Sequence, residues 1–129
     1  MAKILIIDDE PLLRDNLAAY LEDEGHQLVT SSTAEAGLSK LRQYHPDIVI
    51  VDLRLQGING EMFVKTAYRI TPDLQFIIHT GSSDYQLSEE LQTLGLGPAN
   101  IVYKPVTDLS LLSELIGRMT AECSIALPR

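Results

Sequence analysis

Five side chains of complementary chemistry follow four short apolar runs: Asp8 and Asp9, then Asp52, Thr80 and Lys104. Gathered at one place, three carboxylates repel, and at neutral pH they cannot all stay ionised without a counter-charge. A hard divalent cation removes the conflict. Mg²⁺ prefers oxygen ligands, keeps several waters and sits readily between carboxylates and a phosphoryl group; Mn²⁺ is the second candidate. No His/Cys cluster points to zinc. Lys104 offers a mobile point charge suited to phosphoryl oxygens, and the Thr80 hydroxyl can donate to the same group. Asp52 is the candidate nucleophile, because a carboxylate can form an acyl phosphate. The metal would offset charge in an in-line transfer.

Each residue also has an ordinary reading. Asp8-Asp9 ahead of Pro11 could cap a helix. Asp52 alone would be a turn aspartate, Thr80-Gly81 alone a turn, and Lys104 alone a solvated lysine. The coincidence of all of them at the ends of apolar runs carries the chemical reading.

The elements that would position them follow from periodicity. Ile4-Leu5-Ile6-Ile7 is apolar on both sides and predicts a buried strand. Residues 11–24 place Leu13, Leu17, Tyr20 and Leu21 at helical spacing, with Pro11 at the start and Gly25 at the end. A strand is expected over 27–30. Ser32-Thr33-Ala34-Glu35 matches a capping box, opening a helix that carries Ala36, Leu38 and Leu41 and ends before Pro46. Ile48-Val49-Ile50-Val51 is the clearest strand and runs into Asp52. A loop with Gly57, Asn59 and Gly60 leads to a helix over 61–70, stopped by Thr71-Pro72. A fourth strand is expected over 74–79, then a polar helix capped by Ser83 and reaching Leu94, a break at Gly95 to Pro98, and a strand at Ile101-Val102-Tyr103. Thr107 or Asp108 opens the last helix through Leu109, Leu112, Leu115 and Ile116. The segment from Ser124 lacks periodicity. One domain over 1–120 and a tail or linker start over 121–129 are therefore expected.

Five strands alternating with five helices predict a doubly wound α/β fold, a parallel sheet between two helical layers. Periodicity alone leaves the strand order open; the flavodoxin-like order 2-1-3-4-5 is one common solution. In any parallel sheet, residues following the strands collect at one edge. In that order the first and third strands flank the switch point where ligands bind.

Bulk properties fit a single soluble domain. The chain has 129 residues, 45% hydrophobic and 22% charged, with a formal net charge of −8. An acidic surface disfavours direct contact with nucleic acid or anionic membranes. One cysteine, Cys123, excludes an internal disulfide. No apolar stretch approaches the roughly 20 residues that span a bilayer, and no signal peptide is evident, so a cytoplasmic location is expected.

The combined pattern resembles the bacterial response-regulator receiver domains. The resemblance rests on residues 4–10 (ILIIDDE), 46–52 (PDIVIVD), 77–81 (IIHTG) and Lys104-Pro105. It implies the 2-1-3-4-5 sheet and phosphorylation of Asp52 by a sensor histidine kinase or phosphotransfer protein. Asp9 would bind Mg²⁺ directly and Asp8 mainly through water, with the Arg54 backbone carbonyl as a further ligand. Thr80 and the Gly81 amide would hold phosphoryl oxygens, Lys104 would pair with another, and the Lys104-Pro105 bond would be cis. Phosphorylation would shift a two-state equilibrium of the face made by helix four, strand five and helix five, which is also a candidate homodimer surface. An output domain or effector protein is implied. Enzymatic turnover is not: only self-phosphorylation and slow self-dephosphorylation are expected.

The sequence departs from the family pattern in places. Three residues before the lysine, where the family carries an aromatic switch residue, stands Ile101. Tyr103 lies on the same side of the strand by alternation and is read either as taking over part of the switch or as a packing tyrosine. Gln56 replaces a common proline, Pro98 is atypical, and Arg54 and Ser82 occupy positions that tune dephosphorylation. Three other readings compete. A phosphorylation-independent docking module would not need the full residue set. A haloacid-dehalogenase-like phosphatase would need an aspartate where Arg54 stands. In a flavodoxin, three carboxylates would repel the cofactor phosphate.

Overall fold

The computed structural model describes residues 2–54, 59–104 and 108–126. Five strands, β1 (Lys3–Ile7), β2 (Gln27–Ser31), β3 (Ile48–Asp52), β4 (Gln75–Thr80) and β5 (Ile101–Tyr103), form one sheet in the order β2-β1-β3-β4-β5. All pairings are parallel. The helices are α1 (Pro11–Asp23), α2 (Ala34–Tyr44), α3 (Gly60–Ile70), α4 (Glu89–Thr93) and α5 (Leu109–Ala126). The expected architecture and strand order are both present.

Apolar residues of β1 and β3 are buried on both sides, which explains their unbroken hydrophobic runs. Leu5, Ile7, Val49 and Val51 face α2, α3 and α4 and pack with Phe63, Val64 and Leu91. Ile4, Ile6, Ile48 and Ile50 face α1 and α5 and pack with Leu17, Leu21, Leu112 and Ile116. The sheet is thus the middle of three layers. Register brings Ile7 beside Val51 and Asp52 beside His79, so the ends of β1, β3 and β4 lie side by side.

Several local expectations are corrected. The α2 cap is Thr33, not Ser32: its side chain accepts from the Ala36 amide at 3.1 Å, and Ala36 is exposed while Gly37 is buried. α2 ends on His45 with φ 51, a left-handed turn just before Pro46, where αR is disfavoured. The fourth helix does not start at Ser83. Ser88 caps α4 by accepting from Leu91 N at 3.2 Å. Ahead of it, Tyr85 and Leu87 pack against the core, and this tertiary contact overrides weak helical propensity. A 3-10 turn at Pro98–Asn100, unforeseen from the sequence, is tied down by Asn100, whose amide nitrogen donates to Phe76 O at 2.8 Å. α5 continues to Ala126, past the point where periodicity fades. Thr107 lies outside the described residues; Asp108 accepts from Ser110 N at 3.0 Å at the start of α5.

Candidate functional site

At the C-terminal edge of the sheet, β1 and β3 release their chains beside one another. Asp8 follows β1 and is almost wholly buried, as is Asp52 at the last position of β3. Asp8 turns its Oδ1 back to accept from the Glu10 amide at 2.9 Å, and Arg14 Nη1 donates to the Asp8 carbonyl at 3.2 Å. Neither Asp8 nor Asp9 caps α1. The N-cap is Glu10, which makes no capping bond with its side chain; Pro11, lacking an N–H, reduces the need for one.

Asp52 Oδ1 accepts from the Arg54 amide at 3.0 Å. Gly60 makes this close turn feasible. Its amide donates to Leu53 O at 3.1 Å, and a Cβ there would stand 2.6 Å from the Asp52 carbonyl oxygen. The α3 N-terminus therefore presses directly on the end of β3, with Asn59 capping it by accepting from Met62 N at 2.8 Å.

Lys104, just past β5, reaches across to the cluster. Its Nζ donates to Asp8 Oδ2 at 3.1 Å, Asp52 Oδ2 at 3.2 Å and Glu10 Oε1 at 3.3 Å. Carboxylate oxygens of Asp8, Asp9, Glu10 and Asp52 all lie within 4.8 Å of one another. Glu10 was not among the expected site residues; its signal was its place as the third acid in Asp8-Asp9-Glu10. Burial pushes the Asp52 carboxyl above its usual range, opposed by the Arg54 amide and the Lys104 charge, with Asp8 adding to the rise. Burial alone would pull Lys104 down, but its hydrogen bond to Asp8 and the charge of Asp52 hold the ammonium above the ordinary lysine value.

Thr80 is buried at the end of β4, yet its Oγ1 accepts from Ser82 N at 3.1 Å, and it lines a neighbouring cavity of about 380 Å³ with Leu53, Arg54 and Glu61. Gly81 is exposed, with open space where a Cβ would stand. Ile101 and Tyr103 line one cavity of about 610 Å³ together with Tyr85 and Leu87, so the alternation that put them on one side holds. Pro105, and with it the peptide expected to be cis, lies outside the described residues, as do Gln56 and Gly57. His79 was also missed. It is 3% exposed, its Nε2 has no partner among the described residues, and burial, then the nearby Lys104 charge, lowers its pKa to about 4.

All four clustered groups are oxygen donors of the kind a hard cation takes, so the residues present fit Mg²⁺ or Mn²⁺. Among the described residues, no helix is long and apolar enough to cross a membrane.

Residues 4–116 match the response regulator receiver domain family. The chain is 30% identical over 119 residues to protein PilH of Pseudomonas aeruginosa, covering 89% of this chain and 95% of PilH. It is 29% identical over 119 residues to the two-component response regulator PhoP of the same organism, covering 92% of this chain and 50% of PhoP. The match to the transcriptional regulatory protein YesN of Bacillus subtilis is 28% over 118 residues, covering 89% of this chain and 32% of YesN. The chain thus spans half or less of these two longer relatives. A receiver domain protein from Clostridium thermocellum superposes with a TM-score of 0.84 at 29% identity, covering 98% of this chain and 100% of that one. TrrA from Thermotoga maritima, solved in complex with Mg²⁺-BeF, gives 0.79 at 28% identity, covering 92% and 99%. The acidic edge at the β1/β3 junction, the β2-β1-β3-β4-β5 sheet and these matches agree: the chain belongs to the response-regulator receiver domain family of two-component systems.

Proposed function

We infer that this domain accepts a phosphoryl group on Asp52 and passes the change to a partner surface. The observation that carries the reading is a buried Asp52 carboxylate with Lys104 Nζ at 3.2 Å inside a cluster of four carboxylates. Asp8, Asp9, Asp52 and the Arg54 carbonyl would hold Mg²⁺, or Mn²⁺, with Glu10 at the rim. When bound, the ion offsets the negative charge of carboxylates and phosphoryl oxygens. The likeness to TrrA, which was solved with Mg²⁺-BeF, supports this.

The protein groups divide the work by position. An Asp52 oxygen attacks phosphorus. The new O–P bond forms as the donor's P–N bond breaks, and the bonding pair returns to the imidazole nitrogen of a histidine kinase or phosphotransfer protein. Lys104 is already oriented by three carboxylates, so it pairs with a phosphoryl oxygen after a small displacement. The Thr80 hydroxyl and the Gly81 amide supply further donors. Arg54 stands where an aspartate would be needed to release phosphate from outside esters, so the activity is confined to self-phosphorylation and slow self-dephosphorylation. The output, whether an attached domain, a separate effector or a second copy, would meet the face of α4, β5 and α5.

Intact-mass analysis after incubation with Mg²⁺ and acetyl phosphate tests this. The expected result is a gain of one phosphoryl group that disappears in Asp52→Asn and in chelator. No gain together with no Mg²⁺ binding would replace this reading with that of a phosphorylation-independent docking module.

A further inference from the structure

Tyr85 lies between the acceptor edge and the cavity under β5. Among the described residues it alone lines both the cavity that holds Thr80, Ser82 and Arg54 and the cavity that holds Ile101 and Tyr103. Its backbone amide donates to Ser82 O at 3.2 Å, and the Ser82 amide donates to Thr80 Oγ1 at 3.1 Å. Its hydroxyl donates to Glu61 Oε2 at 2.9 Å. Glu61 follows Gly60, whose amide is bonded to Leu53 O. A continuous path therefore runs from Thr80 through Ser82 and Tyr85 to the first turn of α3 and back to the residue after Asp52. Burial, then the hydrogen bond to Glu61 and its charge, raise the Tyr85 pKa above its ordinary value, so the phenol remains a donor at neutral pH.

We propose that the Tyr85–Glu61 hydrogen bond braces the segment between β4 and α4 in the arrangement that belongs to unmodified Asp52, making Tyr85 the positioning residue that links the acceptor edge to the Ile101/Tyr103 cavity. This rests on the phosphoacceptor reading. A phosphoryl group on Asp52 introduces anionic oxygens that compete for the Thr80 hydroxyl and the Ser82 amide. Releasing the Ser82 amide from Thr80 loosens the turn that carries Tyr85, and the phenol must then leave Glu61 or pull α3 with it. A bond made in one arrangement and lost in the other biases the equilibrium by its net strength. Tyr85 lines the β5 cavity from the loop before α4, whereas Ile101 brings no aromatic group from the strand and Tyr103 is 45% exposed.

The test is beryllofluoride titration in Mg²⁺, followed by backbone-amide NMR of the full chain and three variants. Tyr85→Phe keeps the ring and removes the donor, Glu61→Ala removes the acceptor, and Glu61→Gln keeps a neutral acceptor. Before any ligand is added, Tyr85→Phe should move the amides of Ser82 and Ile101–Tyr103 in the direction that beryllofluoride moves them in the parent. Beryllofluoride should bind Tyr85→Phe and Glu61→Ala about three- to tenfold more tightly than the parent. Glu61→Gln should fall between, and the Tyr85→Phe/Glu61→Ala double variant should gain no more than either single change. Affinities within about twofold of the parent, with unmoved β5 amides, would overturn the brace. A parent that binds no beryllofluoride would instead overturn the phosphoacceptor reading, and the brace with it.

Discussion

A single buried histidine gives this site a measurable pH signature. His79 neighbours Asp52 across the β3–β4 pairing and sits two residues after Ile77 on the side covered by α1 and α5. Its pKa falls from 6.5 to about 4 because burial penalises the imidazolium and Lys104 repels it. The unfolded chain therefore binds the proton more readily than the folded one. The stability due to neutral His79 is fully present above the unfolded pKa and is lost as pH falls through the window from 6.5 to about 4. Urea unfolding in chelator should show the parent losing about 2 kcal/mol more than His79→Leu between pH 7 and pH 5. Parallel curves for the two proteins would show that His79 is not held neutral in the fold.

At the scale of elements, the contact between α3 and the end of β3 sets the position of Asp52. Gly60→Ala would drive a methyl against backbone: the Asp52 carbonyl oxygen at 2.6 Å and Leu53 Cα at 2.7 Å. Neither can swing aside without moving the strand end. Gly37 is also crowded, but a Cβ there meets the Cδ1 tip of Ile7 at 2.5 Å, and a side-chain tip can rotate away. Gly60→Ala should cost about 2–3 kcal/mol and slow acetyl-phosphate labelling of Asp52, while Gly37→Ala should cost about 1 kcal/mol or less and leave labelling unchanged. Chemical denaturation and timed mass spectra check both. Equal costs would mean that the α3 N-terminus yields as readily as the Ile7 side chain.

For the whole molecule, the sheet separates two apolar layers that share its strands. Phe63 is fully buried on the α2/α3/α4 side and Ile116 on the α1/α5 side. Phe63→Ala should cost about 3–5 kcal/mol and Ile116→Ala about 2–5 kcal/mol, the two costs should add, and unfolding should remain a single transition, because neither layer can persist without the strands they share. Circular dichroism and tyrosine fluorescence followed in the same urea titration check this. Separate transitions in a single variant would show that the layers unfold independently. The formal net charge of −8 works against close approach of other polyanions to this domain.

The alternation of strands and helices, the burial of β1 and β3 on both sides, and the presence of acids, a hydroxyl and a lysine at strand ends were legible in the sequence. Periodicity and chain direction are local properties, and a parallel sheet turns strand ends into one edge without further information. Other features depended on contacts between residues far apart in the chain. Lys104 reaches Asp8 across 96 positions and meets the Glu10 carboxylate there as well. The residues after Ser83 stay out of the helix where Tyr85 and Leu87 pack against the core and Tyr85 meets Glu61, 24 positions earlier. His79 reads as one more strand residue until β3, β5 and the α1/α5 layer close around it. Sequence pattern determined which chemistry could gather at the edge; packing decided which donors face which acceptors there, because those choices depend on distances that no local pattern encodes.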